Sequence, residues 1–395
     1  MQQIQKALLV CTLLLYPLVG SSAQIKVGAD KVDQIVQITE GKRVGLATNH
    51  TGVLSDSKKT LLLDSLISRG VQITKLYSPE HGLRGTADAG AKIESGIDPI
   101  TKLPIISVYG ANRKPKTEHL EGIDVMIYDM QDVGVRFYTY ISTLYNLMEA
   151  CAEHNIPLIV LDRPNPHDAI DGPMLKDMKF RSFVGIIPVP AVHGLTLGEA
   201  AQMINGEGWL VDGIKVDLTV TTVEGWRHGD PYSLPIAPSP NLKSDRAIAM
   251  YPTTCFFEGT SWSEGRGTET PFEVVGYPDA RVGEYSFTPI SRPGATKPKH
   301  QDKVCYGPDL RDYPLKRGIN LPIIIDAAKK SREAGIDFIT RGNFFNLLSG
   351  TDQFRKQIEE GWNEAQIRAS WESDLNAYKQ IRCKYLLYED YPVTE

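Results

Sequence analysis

The residue in this chain best placed for acid–base chemistry is Glu80, in the segment Ser78-Pro79-Glu80-His81-Gly82. Pro79 restricts the backbone before the glutamate and Gly82 permits a tight turn after it, so Glu80 and His81 are held by a constrained chain. A carboxyl group held in this way can act as a general acid. Alternatively, Glu80 caps a helix or pairs with Arg84, which is itself a candidate substrate contact.

A second polar segment, from Asp129 to Tyr138, follows another apolar run. It contains two carboxylates, an amide, an arginine and a phenol within ten residues, which suits a polyhydroxylated or anionic ligand. Its candidate ligand groups are Gln131, Asp132, Arg136 and Tyr138. Arg136 can grip a carboxylate through two parallel hydrogen bonds. The alternative is an internal salt bridge between Asp132 and Arg136.

A third polar segment, Asp162-Arg163-Pro164-Asn165-Pro166, also follows an apolar run and is stiffened by two prolines. Asp162, Arg163 and Asn165 are candidate substrate contacts at this strand end. Their alternative role is structural, because the neighbouring aspartate and arginine can neutralise each other.

A glycine-rich loop with aromatic residues, 256–268, lies in the second half of the chain. It lacks the Gly-Lys-Ser/Thr ending of a phosphate-binding loop. Glu258, Trp262 and Arg266 fit a sugar site better, because a tryptophan can stack on a pyranose face while the charged side chains bond its substituents. The alternative is a loop with a structural role only.

Five short apolar runs in the first half of the chain precede these and similar polar clusters. The runs are Val44–Ala47, Ile73–Tyr77, Ile105–Val108, Val125–Tyr128 and Leu158–Leu161. Helix-like stretches lie between several of them, a spacing that predicts a parallel α/β sheet. Ligands bind outside the carboxyl ends of the strands in such sheets. The polar clusters, with Asn49 after the first run, therefore meet at one edge, which is the predicted active site.

Composition indicates a soluble globular protein and argues against nucleic acid as a partner. The 395 residues are 42% hydrophobic and 23% charged, and the chain is long enough for two or three domains. The net charge of −5 disfavours a general binder of nucleic acid or of anionic membranes. We expect a monomer or a small homo-oligomer.

The first 23 residues predict a secretory signal peptide. Lys6 precedes an apolar stretch, 7–19, and small residues follow it, with Gln24 as the expected first mature residue. No later segment reaches ~18 uninterrupted apolar residues, so we expect no stable membrane insertion. These features predict export across the inner membrane, with a periplasmic location.

Cleavage of such a signal leaves four cysteines, Cys151, Cys255, Cys305 and Cys383. Export makes disulfide bonds possible. Cys255 and Cys305 both lie in the irregular second half and are the preferred pair. Cys151 falls on a helix-like stretch and is expected to be a buried free thiol.

Motifs for cofactors and metals are missing from the sequence. No Gly-x-Gly-x-x-Gly follows the first predicted strand, which disfavours dinucleotide binding. The eight histidines are scattered, without His-Glu-x-x-His or other tight ligand spacing. We therefore predict no cofactor and no metal.

The local composition of the second half of the chain changes after a proline-rich segment. Pro235, Pro238 and Pro240 lie within 234–241, the best candidate for a domain boundary or a rigid active-site loop. Before it, Thr196 and Glu199 form a capping box that predicts a helix to residue 204. After it, a 3.6-residue period predicts helices at 322–334, 352–360 and 364–384.

Taken together and in order, these motifs resemble those of a known enzyme family. Across about residues 26–395 the chain is similar to bacterial exo-β-N-acetylmuramidases, glycoside hydrolases long catalogued as a domain of unknown function. It departs from the pattern at Ser261-Trp262, where Asn and a small residue are expected, and in lacking a proline after Leu242. The motifs that carry the resemblance are Thr48-Asn49-His50-Thr51-Gly52, Ser78-Pro79-Glu80-His81-Gly82, Gln131 through Tyr140, Leu161 through Pro166, His193-Gly194-Leu195-Thr196, Ser239-Pro240-Asn241-Leu242 and Phe257 through Thr268.

This resemblance implies a Rossmann-like catalytic domain over 24–240 and a smaller α+β domain over 241–395 that closes the active-site cleft. It implies the release of terminal β-linked N-acetylmuramic acid from the non-reducing end of peptidoglycan-derived saccharides. The family's catalytic glutamate maps onto Glu80. The motif residues that map as lining the site are Asn49, His81, Arg136, Tyr138 and Asp162.

The catalytic partner of Glu80 stays open at this stage. Cleavage of a glycoside needs an acid at the leaving oxygen and stabilisation of an oxocarbenium-like centre. A second carboxylate, Asp132 or Asp162, can act as base or nucleophile. Alternatively, the 2-acetamido group of the substrate attacks, oriented by Tyr138 or an aspartate. Because the lactyl ether of muramic acid carries a carboxylate, Arg136 or Arg266 is expected to face the sugar.

Two other functions compete with this interpretation. A non-catalytic module that binds cell-wall sugars needs stacking and arginine contacts but no proton donor. A peptidoglycan amidase or esterase needs a metal or an activated nucleophile, and the sequence shows neither.

Overall fold

The computed structural model describes residues 24–88 and 90–391. The predicted signal peptide, residues 1–23, lies outside this part of the chain. Within the described residues, no helix combines the length and the apolar character needed to cross a bilayer.

A seven-stranded, mostly parallel sheet forms the centre of the N-terminal half. Its six parallel strands stand in the order 3-2-1-4-5-6 by position in the chain, which is the order of Rossmann-type folds. A short strand, β3, adds antiparallel to one edge. The strands are β1 Val44–Thr48, β2 Ile73–Ser78, β3 Gly96–Ile97, β4 Pro104–Ser107, β5 Val125–Asp129, β6 Leu158–Leu161, β7 Ile170–Met174, β8 Pro190–His193, β9 Leu218–Thr221, β10 Tyr285–Phe287 and β11 Cys305–Gly307, of which β7–β8 and β10–β11 form separate two-stranded sheets.

The five apolar runs of the sequence all become parallel strands of this sheet, which confirms the α/β fold class. β1 and β5 are buried along their whole lengths, as strands covered on both faces must be. The register aligns the carboxyl ends, because Thr48 pairs with Asp129 and Ser78 pairs with Ser107. The turns after β1, β2, β4 and β5 therefore open at the same edge of the sheet.

Ten α-helices flank the sheet and build most of the C-terminal region of the described chain. They are α1 Val32–Ile38, α2 Leu62–Ser68, α3 Thr117–Leu120, α4 Tyr140–Glu153, α5 Leu197–Gly206, α6 Asp245–Thr254, α7 Leu321–Glu333, α8 Gly342–Ser349, α9 Gln353–Glu360 and α10 Glu364–Arg382. The predicted capping box starts α5, where the Thr196 hydroxyl accepts the Glu199 N–H and the Glu199 carboxylate accepts the Thr196 N–H. The three predicted C-terminal helices correspond to α7, α9 and α10.

Three helices were not predicted from the sequence: α3, which is only four residues long, α6 and α8. α6 carries Pro252 in its interior, which reads as a helix breaker, yet Ser244 caps its start by accepting the Ala247 N–H. α8 is only eight residues long and begins at Gly342, so its period is too short to stand out.

The end of the chain packs back onto the N-terminal half. The Tyr378 hydroxyl on α10 donates to the His193 carbonyl, and Arg382 donates to the Gly194 carbonyl. Tyr388 then donates to the Asp162 carboxylate at the end of β6. These buried contacts fasten the C-terminal region to the sheet.

A buried charged cluster strengthens this attachment. His228 is 1% exposed and lies between two carboxylates, with Nδ1 2.9 Å from Asp168 and Nε2 2.9 Å from Glu199. Tyr391 also donates to Asp168. Burial alone would lower the pKa of His228, but the two hydrogen-bonded carboxylates raise it to about 9.

The preferred Cys255–Cys305 disulfide is wrong. Both cysteines are free and buried in the structure, as is Cys151, whereas Cys383 is free and exposed. Cys255 follows α6 and its Sγ lies in the aromatic core near Tyr251. Cys305 lies on the separate strand β11. The fact that both cysteines lie in the irregular second half of the sequence therefore did not show that they are close in space.

The raised pKa of His228 predicts how the stability of the fold depends on pH. The folded state binds this proton more tightly than the unfolded state, so the stabilisation is complete below pH 6.5 and is lost as pH rises through about 9. With a pKa of 6.5 in the unfolded state and about 9 in the folded state, at about 1.4 kcal/mol per pKa unit, the loss should be roughly 3–4 kcal/mol. Urea unfolding from pH 6 to 9.5 measures it. His228→Gln should lower the stability at pH 6 and flatten this dependence, and equal slopes for both proteins would contradict the assignment.

The free thiols predict a simple chemical result. Alkylation of the denatured, non-reduced protein should label Cys151, Cys255, Cys305 and Cys383 in full. In the native protein Cys383 should react first, because the other three are buried. Mass mapping of the peptides gives both answers, and a peptide pair linked through Cys255 and Cys305 would contradict the structure.

Candidate active site

A cleft of about 750 Å³ opens at the carboxyl edge of the sheet, where the N-terminal half meets the C-terminal region. Its first wall comes from the turns after β2 and β4 and from the start of α4. Its second wall comes from the segments after α6 and around α8. The residues of both walls that matter below are Glu80, Asp88, Tyr109, Arg113, Thr139, Phe183, Glu258, Glu264, Arg266, Lys297, Lys299 and Arg341.

Glu80 reaches this cleft because the chain after β2 turns sharply. His81 and Gly82 both adopt left-handed backbone angles, with φ of 69° and 77°. Gly90 donates its N–H to Glu80 Oε1 at 3.0 Å, and the Thr139 hydroxyl donates to Oε2 at 2.7 Å. The carboxylate is therefore held from two sides, and the alternative ion pair with Arg84 is absent from the described contacts.

Tyr109, which follows β4, lies beside Glu80. Burial raises the pKa of its hydroxyl, and the carboxylates of Glu80 and Glu258 raise it further, while Arg113 acts in the opposite direction. The hydroxyl therefore stays protonated and can donate a hydrogen bond into the cleft. Its ring packs 5.6 Å from that of Phe183, measured between ring centroids, which adds apolar surface to the first wall.

His81 supports the turn instead of lining the cleft. It is 6% exposed, and its Nδ1 lies 2.7 Å from the Ala87 carbonyl, which ties the start of the loop to its middle. Burial lowers the pKa of its imidazole. A neutral ring with Nδ1–H as donor fits this contact.

The second wall carries a compact charged group. Arg266 donates to Glu258 at 2.8 Å, and its Nε lies 3.3 Å from Glu264. Its guanidinium also lies 4.8 Å from the ring centroid of Phe272. The two carboxylates more than offset its burial and raise the pKa of Arg266, so its charge is permanently paired. The predicted contacts Glu258 and Arg266 are therefore brought together in the cleft.

Polar contacts of a short segment join the two walls of the cleft. Asp88, on the loop after Glu80, accepts the Thr296 N–H at 2.8 Å and also accepts the Thr296 hydroxyl. Lys299, three residues further, donates to the carbonyls of Phe257, Thr260 and Trp262. We call residues 294–299 the strap, since they join the two walls above Glu80.

Arg136 does not lie in the cleft, which corrects its expected role as a contact for the sugar. It is fully buried and donates to the carbonyls of Pro173, Val189 and Leu348. Burial lowers the pKa of its guanidinium to about 9. Arg136 thus holds β7, the segment before β8, and α8 together.

Asp132, Gln131 and Tyr138 lie beneath the cleft. Asp132 accepts the Gly134 N–H at 2.7 Å, and burial raises the pKa of its carboxyl to about 7. Gln131 donates to the carbonyls of Asp132 and Pro164. The Tyr138 hydroxyl donates to the Pro238 carbonyl at 2.8 Å. None of these three side chains lines the cavity.

The polar residues after β6 also have structural roles: these are Asp162, Arg163 and Asn165. Asp162 accepts hydrogen bonds from the Gly198 N–H and the Thr196 hydroxyl at the start of α5, and burial raises its pKa to about 6. Arg163 forms a buried ion pair with Asp129 at 2.7 Å. Asn165 donates to the Leu195 carbonyl. These roles are structural, but Asp162 and Arg163 do not pair with each other as that alternative assumed, because each is held by other partners.

The remaining predicted contacts bind other parts of the protein and do not line the cleft. Asn49 donates to the Tyr140 hydroxyl at 2.6 Å. Arg84 pairs with the buried carboxylate of Asp98 at 2.8 Å. Trp262, expected to stack on a sugar, is fully buried, and its indole N–H donates to Ser331 at 2.8 Å.

Sequence reasoning missed Arg113, Thr139 and Phe183 as cleft residues, and it noted Tyr109 only as the end of an apolar run, without making it a candidate contact. Tyr109 had a usable signal, because it directly follows a predicted strand in the way that Glu80 does. Thr139 lay inside a recognised motif but was passed over in favour of its charged neighbours. Phe183 lies in irregular chain before β8, where no local pattern places it near β4.

Comparisons with known proteins agree along nearly the whole chain. The family described as "Exo-beta-N-acetylmuramidase NamZ, N-terminal" matches residues 44–246, and its C-terminal counterpart matches residues 249–388. A curated relative, "Peptidoglycan beta-N-acetylmuramidase NamZ" of Bacillus subtilis, is 38% identical over 373 residues, covering 88% of this chain and 87% of its own.

Two crystal structures of DUF1343 family proteins from Bacteroides fragilis share the fold. One is 41% identical with a TM-score of 0.84, and the other is 30% identical with a TM-score of 0.80. Each covers 93% of this chain and 99% of its own. The chain therefore belongs to the exo-β-N-acetylmuramidase NamZ family.

Proposed function

We propose that this protein is an exo-acting glycoside hydrolase that releases terminal β-linked N-acetylmuramic acid from the non-reducing end of peptidoglycan fragments. The observation that carries the proposal is the position of Glu80. Its carboxylate is fixed by Thr139 and Gly90 at the mouth of a polar cleft, in a chain related to a B. subtilis peptidoglycan β-N-acetylmuramidase.

Glu80 acts as the general acid in this proposal. Its proton passes to the glycosidic oxygen while the bond from the anomeric carbon to that oxygen breaks, leaving the remaining saccharide as an alcohol. A water molecule then adds to the anomeric carbon, and its proton restores the acid. The Thr139 and Gly90 donors fix the orientation of the carboxyl group during both steps.

Glu258 is the proposed second carboxylate. Asp132 and Asp162, the earlier candidates, are buried and do not line the cavity. Glu258 lines it, uses Oε1 for Arg266, and has a half-buried side chain, 22% exposed. Its charge also raises the pKa of Tyr109, as does that of Glu80, so the tyrosine lies near both carboxylates. The alternative is attack by the acetamido group of the substrate, which needs no second carboxylate.

The strap supports exo action. The strap contacts Asp88 on the loop that follows Glu80, so the two walls are joined there. A long glycan running through the site would have to pass this contact. A chain end can enter from the open side and place one sugar beside Glu80.

We place this activity outside the cytoplasm, most simply in the periplasm. The support is the signal-like composition of residues 1–23 together with a peptidoglycan substrate class. The partners in this proposal are peptidoglycan-derived saccharides, and the enzyme works as a monomer or a small homo-oligomer, with residues 241–395 closing the cleft over the catalytic domain 24–240.

Glu80→Gln should abolish turnover and leave folding intact, because it keeps the size and hydrogen bonding of the side chain but removes the transferable proton. Loss of a general acid costs about 10²–10⁴-fold in rate. A chromogenic β-N-acetylmuramic acid glycoside reports kcat directly. Glu94→Gln is the matched control, since Glu94 lies exposed on the same loop and pairs only with Lys92.

The same assay separates the competing functions. Wild-type activity in pure Glu80→Gln would remove Glu80 from the acid role. A wild-type protein that binds the glycoside without cleaving it would be a cell-wall binding module. Cleavage of the stem peptide or of ester groups, with the glycoside intact, would indicate an amidase or esterase.

Glu258→Gln tests the second carboxylate. We expect kcat to fall by about a hundredfold or more, because the oxocarbenium-like centre loses its nearest negative charge. Glu273→Gln is a control for a partly buried glutamate that accepts from Ser244 outside the cavity. A loss below tenfold in Glu258→Gln, together with inactivity on a substrate lacking the N-acetyl group, would favour attack by the acetamido group.

A further inference from the structure

The cations of the cleft differ sharply in whether the protein already neutralises them. Arg266 is paired with two glutamates. Lys299 donates to three carbonyls and lies 3.5 Å from Glu264. Arg341 donates to the Glu258 carbonyl. Among the described cleft residues, Arg113 and Lys297 are the two cations without a hydrogen bond or an ion pair to the protein.

Arg113 is exposed, and its guanidinium packs on an aromatic ring. Its guanidinium lies 4.6 Å from the centroid of the Phe183 ring. A cation–π contact uses the charge of the guanidinium but none of its N–H donors. The five donors therefore stay available for a ligand, on a group that already lies against the first wall of the cleft.

The position of Arg113 relates it to the catalytic group. Its charge lowers the pKa of the Tyr109 hydroxyl, whereas the charge of Glu80 raises the pKa of the same group. Tyr109 in turn packs on Phe183, so all three side chains form one wall next to Glu80. A sugar positioned with its glycosidic oxygen at Glu80 has its neighbouring substituents within reach of this wall.

We propose that Arg113 recognises the lactyl carboxylate of N-acetylmuramic acid and is the residue that selects this sugar over neutral ones. The inference rests on the proposed function. Arg113 takes the role that the sequence analysis gave to Arg136 or Arg266. Arg136 is buried in the scaffold, and the charge of Arg266 is neutralised by Glu258 and Glu264. A carboxylate matches the fork of a guanidinium in two parallel hydrogen bonds, which the ammonium of Lys297 cannot make.

Binding of the free sugar tests this assignment without requiring turnover. Calorimetry compares N-acetylmuramic acid with its lactyl carboxamide, which has nearly the same shape but no charge. The wild type should bind the acid about ten- to a hundredfold more tightly, the range for a charge-assisted contact. Arg113→Gln should remove this preference by weakening the acid alone, and Arg113→Lys should restore part of it.

Lys297→Gln is the matched control and should keep the preference of the wild type. A preference that persists in Arg113→Gln, that is lost in Lys297→Gln, or that is missing in the wild type would overturn the inference. Equal weakening of acid and amide in Arg113→Gln would also overturn it, because that result describes a structural residue. Turnover of the chromogenic glycoside by the same wild-type sample reports on the proposed function separately.

Discussion

The hydrogen bond from the Thr139 hydroxyl to Glu80 connects two strand ends that are distant in the sequence. Glu80 follows β2, whereas Thr139 begins α4 after β5. Their separation is fixed by the ladder that runs from β2 through β1 to β5. Because the register of that ladder aligns the carboxyl ends, a side chain from each of two turns can meet at one point. The Glu80 carboxylate is thus positioned by the sheet and not by its own loop alone.

Most polar residues of the sequence motifs support this arrangement from below. A Rossmann-type sheet ends in turns whose backbone groups are buried, and buried polar groups need partners. Arg136 satisfies three carbonyls, Asp162 caps α5, and Arg163 pairs with Asp129. Breaking a buried pair of this kind costs about 3–5 kcal/mol, so such residues are as strongly constrained as a catalytic group. Catalytic residues and buried polar residues with a structural role therefore cannot be told apart by residue type and position in a sequence.

This similarity limits what could be predicted. The five central strands, α4 and the Thr196 cap follow from periodicity and local hydrogen bonding, and Glu80, predicted at the edge of the sheet, lines the cleft in the structure. The direction of each side chain depends on long-range packing, which no local pattern records. Arg136 and Arg113 are both arginines near a strand end. Only the path of α8 and of the chain before β8 makes the first a buried crosslink and leaves the second open to the cleft.

The same packing determines how rigid the site is. The second wall, with Glu258 and Arg266, belongs to a region fastened to the sheet by Tyr378 and Arg382 on α10 and by the tail beyond it. These contacts are buried and involve main-chain carbonyls, so they leave little freedom for the two walls to separate. The strap adds a contact from Thr296 to Asp88 above Glu80. Because both walls are fixed before a ligand arrives, little of the substrate's binding energy is needed to close the site. More of that binding energy is then available for interactions that form only in the transition state.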